Sequence, residues 1–448
     1  MEVQTNSYRN AKEGTLERTF SDLIAVVPEV LTLDHLKERI SAIAENGIEV
    51  KVINEDETSI LIELNENDVV TPFEINIQLP HEDVHYEQYY RQDQTTPEEV
   101  FHQAYNGSEI FVRTLFTDDV LSNFYYQLEF LWRLAPDMLF TLDLSASTKL
   151  ISRSYIKYHI ENHILPEIQD LYVIHSIYEG GEQDEPSQYW FHTHGLSRAG
   201  ITEVELIIPN RLASYYGIPD LFSTFVNNAI ENGKLSINEP VTVGQSNSGY
   251  IQVIAVPWEE GLAYIGKKTY LFDLNDIEDD EVHLQPIDSG YTFIGGMNDR
   301  DEYHQEPSCL LFEYKEEEGY MECFFKEFED QELMYYKTTS ETARISFNAK
   351  HSFGYFDNIF NLEKENENFR FLAKFGIPYD GEEREHMWFD MQTIAEPTII
   401  GLLINQPYYI DYMQEGNHYE LNYEDLTDWV IYAGEDVITP SNLYQFIG

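Results

Sequence analysis

The sequence predicts an α+β protein with more than one domain, built from mixed sheets with flanking helices. The chain has 448 residues, which is more than a single domain usually needs. Strand-like and helical patterns are interspersed in the region 20–235, whereas strands predominate from 236 to 335. A small α+β module is predicted over 340–448. We therefore expect an α+β domain, a mostly β middle region and a C-terminal module.

The first predicted domain, 20–235, begins with a buried strand, LIAVVPEV, and an amphipathic helix with its apolar residues on one face. Three alternating strands follow, and a second helix is predicted over 118–133. After a further helix in RSYIKYHIENHIL come three consecutive strands, LYVIHSIYE, YWFHTHGL and VELIIP, and then a helix over 218–230. Because the strands come in hairpin-like groups, a mixed sheet is favoured over a purely parallel one.

The middle region and the C-terminal module have different sequence patterns. Strand candidates of the middle region, among them YIQVIAV, YTFIGG and CLLFEY, alternate with acidic turns. In the C-terminal module, apolar segments such as FRFLAKFGI, HMWFDMQTI and TIIGLLIN are separated by turns rich in Asn, Gly and Pro. Both patterns are typical of short strands joined by solvated loops.

The charge balance restricts the classes of partner. There are 27 Lys and Arg residues against 81 Asp and Glu residues, which gives a net charge of −54. Such a surface repels phosphate backbones and anionic leaflets, so we expect neither direct nucleic-acid binding nor membrane binding. It attracts cations and basic proteins instead. The 32 tyrosines add contact area suited to a recognition surface, although buried tyrosines in a protein kept soluble by charge are the simpler interpretation.

The cysteine content, the N-terminal sequence and the shortness of the apolar runs indicate the compartment. Cys309 and Cys323 are too few for a disulfide framework, which fits a reducing environment, and buried thiols are the simplest interpretation. The N-terminal residues lack the basic-then-apolar order of a signal peptide, and no apolar run is long enough to span a bilayer. These features predict a cytoplasmic protein.

The best candidate for a chemical site is a metal site at His192 and His194. Two residues separated by one position in a strand project from the same face, which suits metal coordination. If the following segment returns antiparallel, Glu203 and Glu205 would offer carboxylates to the same divalent ion. The alternative is a polar strand face, in which the imidazoles bond hydroxyl or backbone groups.

Two other groups of titratable residues carry a weaker signal. His159 and His163 share one helix face, but the intervening Glu does not follow the first His as it does in zinc proteases. His386 and Asp428 are candidates for a hydrogen-bonded pair, which either acts as a base or locks a tryptophan-rich core. Nothing near them in the sequence serves as a nucleophile, so the core interpretation is preferred.

Two parts of the chain resemble uncharacterised bacterial families. The run Trp190-Phe-His192-Thr-His194-Gly195-Leu196 resembles a family of unknown function with a Trp-x-His-Thr-His-Gly-Leu signature, which would cover roughly 20–300. The C-terminal part is similar to the YegJ-like proteins. The matching features are Ala343-Arg344-Ile-Ser-Phe347, Phe371-Leu-Ala-Lys374-Phe, Glu385-His386-Met-Trp388, Gly401-x-x-x-Asn405-x-Pro407, Glu415-Gly416 and Asp428-Trp429. Neither resemblance implies a known activity; an association of such domains with toxin immunity is an analogy only.

Three functions remain open at this point. The preferred hypothesis is a non-enzymatic cytoplasmic protein that binds a basic protein through an acidic, Tyr-rich surface, with an immunity or sequestering role. The alternative is a metal-dependent, hydrolase-like enzyme centred on His192 and His194. A third hypothesis is a nucleic-acid mimic, which requires carboxylates at phosphate-like spacing.

Overall fold

Three β-sheets follow one another along the chain. The computed structural model describes residues 14–45, 48–66, 69–180, 186–208, 217–246, 249–270, 307–323, 334–381, 383–395 and 398–447. Within these ranges, each sheet packs against helices from its own part of the sequence or the adjoining part. The α+β class predicted from the sequence is confirmed.

The first sheet has seven strands in the order β2-β3-β4-β5-β1-β6-β7, and every neighbouring pair is antiparallel. Its strands are β1 (Phe20–Val27), β2 (Glu49–Glu55), β3 (Ser59–Glu66), β4 (Val69–Gln78), β5 (Ser108–Leu115), β6 (Phe140–Asp143) and β7 (Lys149–Ser152). The helices of this part are α1 (Leu33–Glu45), α2 (Glu99–Ala104), α3 (Val120–Leu134) and α4 (Arg153–Glu161).

Helix α3 shows why these segments are helical. Asp119 caps its N-terminus, because its carboxylate accepts a hydrogen bond from the Ser122 amide at 3.1 Å. Phe124, Leu128 and Leu131, spaced three or four residues apart, are completely buried on the face that meets the sheet. The helix predicted over 118–133 is therefore confirmed, with a shift of one or two residues at each end.

The second sheet is mixed and carries the histidine-rich segment. Its main path is β16-β11-β12-β14-β10-β9-β8, where β10 and β14 are parallel and the other pairs are antiparallel; β13 and β15 lie off this path. The strands are β8 (Val173–Gly180), β9 (Pro186–His194), β10 (Glu203–Ile208), β11 (Pro240–Ser246), β12 (Gly249–Pro257), β13 (Thr269–Tyr270), β14 (Ser308–Lys315), β15 (Tyr320–Glu322) and β16 (Met334–Tyr335). The described residues of this part also contain the helices α5 (Gly217–Asn232) and α6 (Trp258–Gly261).

The third sheet is antiparallel, with the order β20-β19-β18-β17-β21-β22. A long helix, α7 (Thr339–Glu363), covers one face, where Phe353, Phe356 and Phe360 pack into the core. The strands are β17 (Phe369–Asp380), β18 (Glu383–Ala395), β19 (Thr398–Leu403), β20 (His418–Leu421), β21 (Leu426–Ala433) and β22 (Asp436–Ile438). These elements all lie in the part of the chain for which a C-terminal α+β module was predicted.

The second sheet contains strands from both sides of the boundary that the sequence predicted at 235/236. Strands β8, β9 and β10, which precede residue 235, share one sheet with β11, β12 and β14, which follow it. A boundary at 235/236 therefore falls between strands of the same sheet. The strand expected at YTFIGG, 291–296, lies outside the described residues.

Buried polar contacts join the three parts. Arg198, just before β10, forms a bidentate ion pair with Asp143 of β6, and both side chains are completely buried. The Tyr158 hydroxyl of α4 donates to the Pro440 carbonyl at 2.8 Å, after the last strand of the third sheet. No helix in the described ranges has both the length and the apolar character to cross a membrane.

Candidate metal centre

Three histidines lie together on one face of the second sheet. His192 and His194 are one position apart in β9, so their side chains project from the same face. Strand β8 runs antiparallel to β9 and pairs His175 directly with His192, which brings a third imidazole to that face. The ring centroids of the three pairs are 4.8, 5.1 and 5.5 Å apart. One hairpin thus assembles three imidazoles.

The ring nitrogens approach the spacing of metal ligands. One nitrogen from each histidine lies within 4.8 Å of the other two. Imidazole nitrogens bound to one tetrahedral zinc ion, each about 2.0–2.1 Å from the metal, lie about 3.3 Å from one another. Binding one ion would therefore require the three imidazoles to turn towards one another about their side-chain torsions. His192 is buried, whereas His175 and His194 are half-buried, so solvent reaches the cluster from one side.

A buried carboxylate stands beside the cluster. Strand β10 is antiparallel to β9, as the metal hypothesis required, and pairs Glu205 directly with His192. The Trp190 indole donates from Nε1 to Glu205 Oε2 at 2.7 Å, and Trp190 lies on the same face as His192. The Glu205 carboxylate is therefore held in a fixed orientation next to the imidazoles, although it is not one of the three clustered ligand groups.

Glu203, the other predicted carboxylate ligand, has a different role. One of its oxygens accepts the Thr193 hydroxyl at 2.6 Å. The other accepts the backbone amides that follow β9, from Gly195, Leu196 and Ser197, at 3.0, 2.8 and 3.3 Å. These amides begin the short 3-10 helix Leu196–Ala199, and a carboxylate is favourable at such a terminus. The structure thus places this carboxylate with the loop amides and does not bring it into the histidine cluster.

Gly195 allows the chain to turn directly after the last histidine. Its φ of 124° lies in a region that other residues rarely adopt. A Cβ at this position would also come within 2.4 Å of the Leu171 carbonyl oxygen. Glycine is therefore required here to end β9 at His194 and to aim the following amides at Glu203.

The histidine face continues into an apolar cluster. Trp190 stacks on Trp258 of α6 with a centroid distance of 5.9 Å and an interplanar angle of 25°. Ile207, Val256 and other buried residues surround this pair. An apolar surround lowers the local dielectric and strengthens interactions between a bound ion and its ligands.

His175 was not among the residues predicted from the sequence. It lies in LYVIHSIYE, which was predicted to be a strand next to the one that carries His192 and His194. Once those two strands are paired as a hairpin, the register alone places His175 opposite His192. The missing signal was the register, which the sequence of the connecting segment did not provide.

The other histidine pair, on α4, is structural. His159 is buried, stacks on Tyr155 at 3.9 Å, and its Nδ1 lies 3.0 Å from the Ile164 carbonyl oxygen. Burial lowers the pKa of His159 to about 4, so the ring is neutral near pH 7. His163 has a φ of 55°, at the turn that follows the helix. Neither belongs to the cluster of three histidines.

In the C-terminal module, the expected pair of His386 and Asp428 is replaced by other contacts. His386 Nδ1 lies 3.2 Å from the Thr427 hydroxyl, and Asp428 accepts the Trp429 amide at 2.8 Å. Burial raises the pKa of Asp428 to about 6. Trp429 fills the core beneath α7, as the core interpretation predicted, but Trp388 lies half-buried on the opposite face of the sheet.

The fold and the site define an α+β protein of several sheets with a three-histidine candidate metal centre in the second. Residues 21–166 and 174–312 match the N-terminal and C-terminal models of a protein of unknown function (DUF4026). Together these segments span more than half of the chain, so the protein belongs to this family. Residues 341–440 match an uncharacterized protein conserved in bacteria (DUF2314). Together, the matches confirm that both parts of the chain resemble uncharacterised bacterial families. No curated protein and no solved structure matches the chain.

Proposed function

We propose that the protein binds a divalent transition-metal ion, best matched by zinc, at His175, His192 and His194 and uses it for metal-assisted hydrolysis. The observation that supports this proposal is the convergence of three imidazole nitrogens within 4.8 Å on a fixed sheet face. Imidazole is a preferred ligand of zinc, and three histidines in one place would repel one another if protonated.

The number of ligands favours a catalytic role over a structural one. Structural zinc sites are closed by four protein ligands, most of them cysteines, whereas catalytic sites have three protein ligands and a water in the fourth position. The only two cysteines of the chain are Cys309 and Cys323, and both are buried within apolar clusters. Three histidines with two half-buried rings leave the fourth position for water.

Glu205 supplies the proton acceptor in this proposal. A zinc ion held by His175, His192 and His194 would lower the pKa of a bound water to about 7 and so supply the nucleophile for an electrophilic carbon or phosphorus. Glu205 would accept the proton of that water and pass it to the leaving group as its bond breaks. The Trp190 indole keeps the carboxylate in place, as groups around metal ligands commonly do.

The first test is metal content. Protein purified without affinity-tag metal is expected to contain close to one zinc per chain after incubation with zinc and desalting, measured by elemental mass spectrometry. The double variant His192→Ala/His194→Ala is expected to lose it. His102→Ala/His418→Ala removes the same number of imidazoles from exposed positions and is the matched control. Equal zinc in both variants would contradict the proposal.

The second test separates binding from chemistry. Glu205→Gln retains an oxygen that accepts from Trp190, so zinc content and stability should change little. Hydrolysis of p-nitrophenyl acetate by the zinc-loaded protein should fall by about 10²-fold or more, the usual contribution of a general base. If Glu205→Gln hydrolyses the ester at the wild-type rate while binding zinc, the assigned role of Glu205 is wrong.

A further inference from the structure

Four tyrosines of the C-terminal module form an exposed surface, here called the tyrosine face: Tyr379, Tyr408, Tyr409 and Tyr412. Their exposed fractions are 37, 83, 59 and 71%. The rings of Tyr379 and Tyr409 are stacked at 4.9 Å with an interplanar angle of 8°, and Tyr408 meets Tyr409 edge-on at 4.9 Å. The rings of Tyr379, Tyr408 and Tyr409 therefore form one group that is open to solvent, and Tyr412 is an exposed ring three residues further along the same loop. Exposed apolar groups of this kind mark interaction sites.

The face is held in place by the adjacent strand. The Glu385 carboxylate of β18 accepts the backbone amides of Tyr408 and Tyr409 at 2.5 and 2.9 Å. The Asn405 side chain accepts the Trp388 amide at 2.7 Å and fixes the start of the same loop. Because the loop is already ordered, a partner that binds the rings pays little conformational entropy.

The surroundings of the tyrosine face are acidic. Desolvation and the neighbouring carboxylates, of which Glu383 has the largest effect, raise the pKa of Tyr379. Asp380 and Glu383 are exposed beside it. Arg384, which lies between Glu383 and Glu385 in the sequence, is already paired with Asp425 and donates to the Gly376 carbonyl. The face therefore combines aromatic rings with uncompensated negative charge.

We propose that the tyrosine face binds an arginine-rich segment of a basic protein partner. A guanidinium group stacks on tyrosine rings and forms bidentate bonds with carboxylates, so both features of the face select it. A second copy of this chain is disfavoured, because each copy carries a net charge of −54. This inference is independent of the metal proposal, since the face lies in the third sheet.

The experiment measures binding of a fluorescein-labelled dodecapeptide of alternating Arg and Gly to the full-length chain by fluorescence anisotropy. An ionic strength of about 0.15 M limits long-range attraction by the acidic surface as a whole. Tyr408→Ala/Tyr412→Ala removes two of the most exposed rings without changing the net charge or the Tyr379–Tyr409 stack. Tyr90→Ala/Tyr250→Ala removes two rings that are 56 and 69% exposed elsewhere and is the matched control.

The proposal predicts that Tyr408→Ala/Tyr412→Ala weakens binding about tenfold, whereas the control variant binds as the wild type does. The Lys–Gly analogue of the peptide should bind more weakly than the Arg–Gly peptide, because an ammonium group does not stack on the rings. Equal affinity of both variants would show that only the net charge attracts the peptide and would overturn the proposal. So would the absence of binding, or a dimer of the chain that is lost specifically in Tyr408→Ala/Tyr412→Ala.

Discussion

Two glutamates of strand β10, Glu203 and Glu205, serve different purposes although they are only two residues apart. Glu205 lies beside the three histidines and accepts a hydrogen bond from the Trp190 indole. Glu203, two residues earlier in the same strand, is directed to Thr193 and to three backbone amides of the following loop. One carboxylate is positioned next to a cluster of metal-ligand type, while the other completes the fold.

This difference shows that a buried charge indicates function only when its hydrogen bonds are known. Both glutamates are almost fully buried. Glu205 is paired directly with His192, and Glu203 lies two residues before it in the same strand. The carboxylate that already accepts several backbone amides satisfies a helix-like terminus. The carboxylate that accepts the Trp190 indole lies beside imidazoles, which is the surrounding that the proposed proton acceptor needs.

The largest effect on stability is expected at Arg198, which lies in the loop whose amides Glu203 binds and which pairs with Asp143. Arg198→Met should lower the free energy of unfolding by about 3–5 kcal/mol, because it leaves the buried Asp143 carboxylate without its bidentate partner. Urea unfolding followed by circular dichroism measures this loss. The double variant Arg198→Met/Asp143→Asn removes both charges and should recover part of it. A loss below about 1 kcal/mol in the single variant would mean that the Arg198–Asp143 ion pair contributes little to the stability of the fold.

Glu203→Ala separates the role of Glu203 from that of Glu205. It removes the acceptor of four hydrogen bonds and leaves three amides unsatisfied, so we expect a loss of about 2–3 kcal/mol in unfolding free energy. The zinc content of the folded fraction should remain that of the wild type. Glu205→Gln should show the opposite result, with unchanged stability and lost hydrolysis. Loss of zinc in Glu203→Ala at full stability would make Glu203 a ligand after all.

The smallest effect is the contribution of His159, which lies outside the histidine cluster, to the pH dependence of the free energy of unfolding. Its folded pKa of about 4 lies below the ordinary value of 6.5, so the unfolded chain binds the proton more readily and stability falls as pH decreases below about 6.5. Between pH 7.5 and 5.5 this contribution amounts to about 1 kcal/mol. His159→Phe should lack this part of the pH dependence in urea unfolding. An identical pH dependence in wild type and variant would contradict the assigned neutral role.

Sequence patterns were sufficient for much of the fold and for part of the site. The periodicity of Val120, Phe124 and Leu128 predicted a helix, because one buried face has a fixed spacing. The spacing of His192 and His194 likewise placed both on one strand face. His175 was missed because cross-strand partners depend on register, and the split between Glu203 and Glu205 depends on the path of a loop. Neither is encoded in a local pattern.

The separation of the two C-terminal tryptophans has the same origin. Trp388 and Trp429 both lie in apolar runs, which suggested one core. The strand register instead directs Trp429 towards α7 and Trp388 towards the opposite face of the sheet. On that face the Lys374 ammonium nitrogen lies 5.6 Å from the centroid of the Trp388 ring. A shift of one position in either strand would reverse this arrangement.

The most direct test of the metal site is the zinc K-edge X-ray absorption spectrum of the zinc-loaded protein. We expect a first coordination shell of imidazole nitrogens at about 2.0–2.1 Å, fitted by three histidines and one further oxygen. The same spectrum from His175→Ala should show fewer imidazoles, or no bound zinc. A sulfur shell at about 2.3 Å, or an oxygen-only shell unchanged by His175→Ala, would contradict the three-histidine centre.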